Sequence, residues 1–92
     1  MSVRQHVRDR FTTLVGDSEL VTATNRGFEY QPSDDIIVDV RLDPGCPWKI
    51  DVEFLDRGHS EYAYVPSLGM PAEIAEMIYD RVAAIAAVGN SS

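Results

Sequence analysis

The stretch DIIVDVRLDPGCPWKIDVEFLD, residues 35–56, decides the fold because apolar side chains alternate with polar ones in both of its halves. The alternating apolar positions are Ile36, Val38, Val40 and Leu42 in the first half and Trp48, Ile50, Val52 and Phe54 in the second. Successive side chains of a strand point to opposite faces, so each half predicts a strand with one buried face. Two such strands in close succession predict an antiparallel hairpin.

The register of this hairpin follows from bringing the two apolar faces together. It sets Leu42 beside Trp48 and Ile36 beside Phe54, and leaves Pro44, Gly45 and Cys46 as a short loop. Cys46 is the sole cysteine, and the sequence offers neither a second cysteine for a CxxC motif nor a neighbouring histidine that would lower its pKa. We therefore interpret this segment as a turn rather than a reactive centre.

Helical spacing of apolar residues flanks the predicted sheet on both sides. Residues 2–15 carry one apolar stripe, with Ser2 as the N-cap and Gly16 as the left-handed stop. A second helix has Pro71 in its first turn and ends at Gly89. One helix is therefore predicted before the strands and one after them.

Two further hairpins are predicted around the central one. The sequence NRG, residues 25–27, predicts a turn in which Gly27 takes a positive φ. A two-residue turn at Arg57 and Gly58 would set Glu53 opposite Tyr62 and Asp51 opposite Tyr64, with both tyrosines on the polar face. A three-residue loop would instead turn both tyrosines inward.

Together these patterns predict an α+β fold: an N-terminal helix, an antiparallel meander of four to five strands, and a C-terminal helix, with the helices covering one sheet face. We expect residues 1–88 to form a single compact domain and residues 89–92 to form a frayed tail.

Composition narrows the class of partner. The chain has 92 residues, with 8 basic and 15 acidic side chains and a formal charge of -7, which argues against binding a nucleic-acid backbone. One cysteine cannot form an internal disulfide, and no apolar run is long enough to span a membrane, so we expect a cytoplasmic protein without a membrane partner. Lys49 is the sole lysine and aspartate outnumbers glutamate, a pattern that resembles proteins of halophiles or of GC-rich genomes. In that case the acidity reflects habitat rather than a partner.

Motifs for chemistry are missing from the sequence. Neither His6 nor His59 has a histidine at metal-ligand spacing, and no GxSxG, P-loop or GxGxxG motif occurs. Adjacent residues of a strand point apart, so the sequence His59, Ser60 and Glu61 does not have the geometry of a catalytic triad. We expect no enzyme activity, no cofactor and no metal site.

Six residues are candidates for binding a partner: Tyr62, Tyr64, Asp39, Asp51, Met77 and Arg81. The outer sheet face is predicted to carry an apolar and aromatic strip of Tyr62, Tyr64, Leu55 and Ile37, which Phe28 or Tyr30 would extend if the first hairpin joins it. Arg81 lies beside Met77 on the apolar side of the second helix, and such a composition is typical of binding hot spots. Alternatively, Arg81 extends along the edge of the apolar stripe to reach water.

The sequence thus favours a small acidic protein-binding module, acting as a regulator, a chaperone-like adaptor or an inhibitor, or self-associating as a homodimer. A second hypothesis is a small-ligand or divalent-cation-binding domain that uses Asp39 and Asp51, which oppose each other in the predicted register. Against it, Arg41 and Lys49 lie diagonally beside that pair and neutralise it. A third is an acidic mimic of nucleic acid that inhibits a DNA-binding protein.

Overall fold

The computed structural model describes residues 2–43 and 45–90. Along the chain, the elements are α1 (Val3–Val15), a 3-10 turn (Ser18–Leu20), β1 (Val21–Ala23), β2 (Gly27–Ser33), β3 (Ile36–Leu42), β4 (Trp48–Phe54), β5 (His59–Val65) and α2 (Pro71–Asn90). The five strands form one antiparallel sheet in the order β1-β2-β3-β4-β5. Both helices pack on the same face of this sheet and on each other, which confirms the predicted α+β fold.

The central hairpin has the predicted register. Leu42 pairs with Trp48 and Ile36 pairs with Phe54, and the apolar pairs between them align as expected. The backbone amide of Cys46 donates to the carbonyl of Asp43 across 3.1 Å, and the Cys46 side chain is exposed. The turn interpretation is therefore confirmed for the residues that are described, while Pro44 lies outside them.

The predicted helix ends agree with the structure at α1 and differ at α2. The Ser2 hydroxyl accepts from the amide of Gln5 across 3.2 Å, and Gly16 ends the helix with a φ of 82°. Helix α2 continues through Gly89 to Asn90, so its predicted end was wrong, because glycine also adopts helical angles. The fraying of residues 89–92 stays a prediction, with residues 91 and 92 outside the described part.

The hairpin between β4 and β5 differs from the prediction in its pairing. Asp51 pairs with Tyr62, and Lys49 pairs with Tyr64. The sequence instead predicted that Glu53 pairs with Tyr62 and Asp51 with Tyr64. The reason is that residues 55–58 form a four-residue loop instead of a two-residue turn. A shift of two residues keeps each side chain on its face, so the outward orientation of both tyrosines is confirmed.

The first hairpin also departs from expectation, because Gly27 does not take a positive φ. A Cβ atom at this position would collide with the backbone carbonyl of Val40 on the neighbouring strand. Glycine is needed here for the close approach of two strands and not for turn geometry. The strand before this hairpin, β1, has three residues, because the preceding chain at Ser18–Leu20 forms a 3-10 turn capped by Asp17.

The core is one layer between the sheet and the helices. Its buried apolar side chains are Val7, Phe11, Phe28, Ile36, Val38, Val40, Trp48, Ile50, Val52, Phe54, Val65, Ile74, Ala75, Ile78 and Val82. Full burial of a large apolar side chain contributes about 1.5–3 kcal/mol. Phe11 packs on Phe28 and Tyr30 with ring centroids 4.9 and 5.2 Å apart, so these two β2 rings face the helices and do not extend the outer strip. Burial, and secondarily the nearby Tyr79, raises the pKa of Tyr30.

Candidate protein-binding surface

The uncovered face of the sheet carries its charges in rows that cross the strands. One row consists of Thr22, Glu29, Asp39, Asp51 and Tyr62, one residue from each strand in order. We call its three carboxylates, Glu29, Asp39 and Asp51, the acidic row. The adjacent row contains Arg41, Lys49 and Tyr64. Opposite charges therefore alternate along β3 and β4, and each row ends in a tyrosine on β5.

At the β5 end of this face, the side chains of the two rows contact one another. The Lys49 Nζ lies 3.8 Å from Oδ1 of Asp51 and 5.6 Å from the ring centroid of Tyr62. The Tyr62 and Tyr64 rings meet edge to face, with centroids 5.8 Å apart. Tyr62 is 66% exposed and Tyr64 is 51% exposed, so both remain accessible in this cluster.

Asp39 and Asp51 oppose each other across β3 and β4, as the sequence predicted. Lys49 balances the charge of Asp51, but no described cation lies within ion-pairing distance of Asp39. Within residues 2–43 and 45–90, no three His, Cys, Asp or Glu side chains are arranged to hold a metal ion. Asp39 instead borders a shallow depression of about 280 Å³ with Arg26 and Arg41, away from β5.

A groove between β5 and α2 joins the two halves of the predicted site. It measures about 340 Å³ and is lined by Tyr64, Val65, Pro66, Met77, Asp80, Arg81 and Ala84. Three of the six predicted contact residues meet there, namely Tyr64 from the sheet and Met77 and Arg81 from the helix. Residues that the sequence identified on separate elements therefore border one concave surface.

Local sequence explains this groove. Met77, Arg81 and Ala84 recur at spacings of four and three residues, which puts them on one side of α2, next to the buried stripe. The small side chain of Ala84 leaves space beside the sheet. Arg81 is exposed and makes no ion pair with a described residue, so its guanidinium group is available to a partner.

Exposed large apolar side chains concentrate in the segment of the chain that runs from β5 into α2. Among the described residues, those in the segment from β5 into α2 are Tyr62, Tyr64, Leu68, Met70, Met77 and Tyr79. Leu68 and Met70 belong to the loop that connects β5 to α2, and they are 82% and 65% exposed. A local concentration of exposed apolar side chains is typical of an interaction surface.

The outer edge of β5 is free. This strand pairs with β4 on one side, and no backbone hydrogen bond within the described chain satisfies its other side. On the helix-facing side of the strand, His59 contacts Glu61 across 2.9 Å, while Ser60 points to the opposite face. Ser60 is thus separated from the His59–Glu61 pair, as predicted.

Several residues of this surface were missed by sequence reasoning. Pro66, Asp80 and Ala84 line the groove, and Glu29 extends the acidic row. The spacing from Met77 to Ala84 was visible in the sequence and could have identified the helix side of the groove. The position of Glu29 depends on the register of β2 with β3, which a bulge after Tyr30 makes irregular.

No protein-family model, curated protein or solved structure matches this chain at a significant level. Neither described helix combines the length and the apolar character that crossing a lipid bilayer requires.

Proposed function

We propose that this chain is a protein-binding module and that it binds through the β5–α2 surface, defined as the groove together with the free edge of β5. The main observation in support of this function is that Tyr64, Met77 and Arg81 line one groove beside an unpaired strand edge. Tyrosine, methionine and arginine are the residue types enriched where proteins contact each other.

The free strand edge gives this surface a second mode of recognition. Backbone groups along β5 can pair with an extended segment of a partner, while side chains of that segment enter the groove. Backbone pairing contributes affinity, and the contacts with Tyr64, Met77 and Arg81 contribute selectivity. In this view Tyr62 contacts the partner at the outer face, and Asp51 and Asp39 set the charge of the neighbouring rim.

The setting we propose is the cytoplasm, where a small regulator, adaptor or inhibitor acts on another protein. The exposed, unpaired thiol of Cys46 is compatible with this reducing compartment. Acidic side chains elsewhere on the surface would serve solubility and reflect the organism's habitat. The alternation of acidic and basic rows on the sheet disfavours a mimic of nucleic acid, which needs an uninterrupted negative surface.

Capture of partners from a lysate of the source organism tests this function. The natural chain, Tyr64→Ala and Arg81→Ala serve as baits, with Val3→Ala and Arg26→Ala as controls at exposed positions outside the groove. We expect a stoichiometric protein, either another chain or untagged copies of this one, that is retained by both controls and lost with both groove variants. Equal capture by all five baits, or no specific capture, would contradict the assignment.

A further inference from the structure

We infer that the β5–α2 surface binds a second copy of this chain, by antiparallel pairing of the two β5 edges into one ten-stranded sheet. The inference rests on the proposed protein-binding function and names its partner. Three properties of the β5 region support a second copy: the length and regularity of the edge, the position of the groove, and the distribution of charge.

The β5 edge has few of the devices with which proteins protect free strands. Strand β5 has seven residues and contains neither proline nor lysine, and its pairing with β4 runs without a bulge. A second copy supplies an edge of the same length and twist, so every free backbone group has a potential partner. Glu61 is the one acidic side chain of the strand, and its contact with His59 reduces its effect as a repulsive charge.

A two-fold axis perpendicular to the sheet determines which other parts of the two copies would come into contact. Such an axis keeps both outer faces on one side and both pairs of helices on the other. With Tyr62 near the axis, the tyrosines of the two copies would form cross-strand pairs on the outer face, a favourable arrangement for aromatic side chains. On the other face the two α2 helices would approach each other along their grooves.

The charge of the groove is complementary to itself. Its lining includes one acid, Asp80, and one base, Arg81, and neither makes an ion pair with a described residue of its own chain. A two-fold arrangement lets Arg81 of each copy meet Asp80 of the other. Because each chain carries a net charge of -7, two copies repel each other over most of their surfaces, and this locally neutral region minimises the repulsion.

Sedimentation velocity of the full chain over a wide range of concentrations tests this dimer. The natural chain is expected to shift from monomer to dimer as concentration rises. Tyr62→Lys introduces a charge at the pairing edge and should weaken dimerisation at least tenfold. Thr22→Lys is the matched control, because Thr22 occupies the same cross-strand row at the opposite edge, and it should dimerise like the natural chain.

Thermal unfolding of each variant shows whether it is folded, and Ser60→Lys, on the same strand face, replaces Tyr62→Lys if that variant unfolds. A natural chain that stays monomeric, or an unaffected dimer in the β5 lysine variant, would overturn the inference. If a monomeric chain still captures another protein in a Tyr64-dependent manner, the binding function stands and the second copy is wrong. If it captures nothing, both are wrong.

Discussion

The two edges of this sheet are built differently. Strand β1 has three residues, Val21–Ala23, and the depression beside it is lined by Glu19, Glu29 and Asp34 without a cation. Strand β5 has seven residues and borders a groove that contains both charges and an exposed tyrosine. A short strand among like charges gives an approaching strand little to pair with, whereas a long strand beside a neutral apolar groove favours pairing.

This comparison shows that topology alone does not determine which free edge of a sheet is suited to pair with a further strand. Both edges are free in the same five-stranded meander, and they differ in strand length and in the side chains beside them. Three pairs of substitutions and one pH experiment test the differences between the two sides of the sheet. They are arranged below from the largest expected effect to the smallest.

The largest effect on the free energy of unfolding is expected when Gly27, in the hairpin at the β1 edge, is replaced by alanine. Gly58, in the hairpin at the β5 edge, provides the comparison. Gly27→Ala should lower the free energy of unfolding by about 3 kcal/mol, because the new Cβ collides with the backbone of Val40. Gly58→Ala, in the hairpin that precedes β5, meets no atom within 4 Å and should lower it by about 1 kcal/mol through its φ of 60°. Urea unfolding measures both, and equal losses would show that close packing does not distinguish the two hairpins.

The charges of the groove can be exchanged to test self-recognition. Arg81→Asp alone makes both groove charges negative and Asp80→Arg alone makes both positive, so each variant should self-associate about tenfold more weakly, near 1.4 kcal/mol. An equimolar mixture of the two variants should recover the dimer, since each supplies what the other lacks. Sedimentation of the mixture decides, and a mixture as weak as its components would exclude this contact.

Tyr30 gives a pH-dependent contrast on the β1 side of the sheet. Burial raises the pKa of Tyr30 above its ordinary value near 10, so the folded state holds this proton more tightly than the unfolded state. Its contribution to stability is complete below about pH 10 and is lost as the pH rises through the folded-state pKa. Tyr30→Phe should therefore lose less stability than the natural chain above pH 10. Identical pH profiles of unfolding would contradict this.

The smallest effect is expected for two ion pairs at partly exposed positions, one on each side of the sheet. Lys49→Gln removes the contact with Asp51 and the cation beside Tyr62, and should cost less than about 1 kcal/mol, because water and salt screen exposed charges. Arg26→Gln removes a comparable pair with Asp43 and should cost about as much. Chemical unfolding at low and high salt measures both, and a loss that persists at high salt would indicate a different origin.

Much of the fold was predictable because strict alternation gives an unambiguous register. In β3 and β4, four apolar positions in each strand must face one core, and a wrong pairing would expose some of them. In β5, apolar core positions are confined to Ala63 and Val65, so the pattern determined the face of the strand but not its partners. The loop at residues 55–58 then decided the register, and its sequence also fits a shorter turn.

The sequence identified several residues of the candidate surface but did not predict the groove that they border. Tyr64 and Arg81 each stood out from the sequence, the first on a polar strand face and the second on an apolar helix side. Their meeting in one groove depends on how α2 crosses β4 and β5, which is set by the packing of the whole core. The requirement for glycine at position 27 could not be predicted for the same reason, because the close approach of Val40 depends on how β2 pairs with β3.

The difference between the two edges is tested most directly by amide hydrogen exchange at low and high protein concentration. We predict that amides of β5 become more protected as concentration rises, because they pair with a second copy, while those of β1 exchange at an unchanged rate. Unchanged exchange in both strands, or equal protection of both, would contradict the assignment of β5 as the edge through which this protein associates.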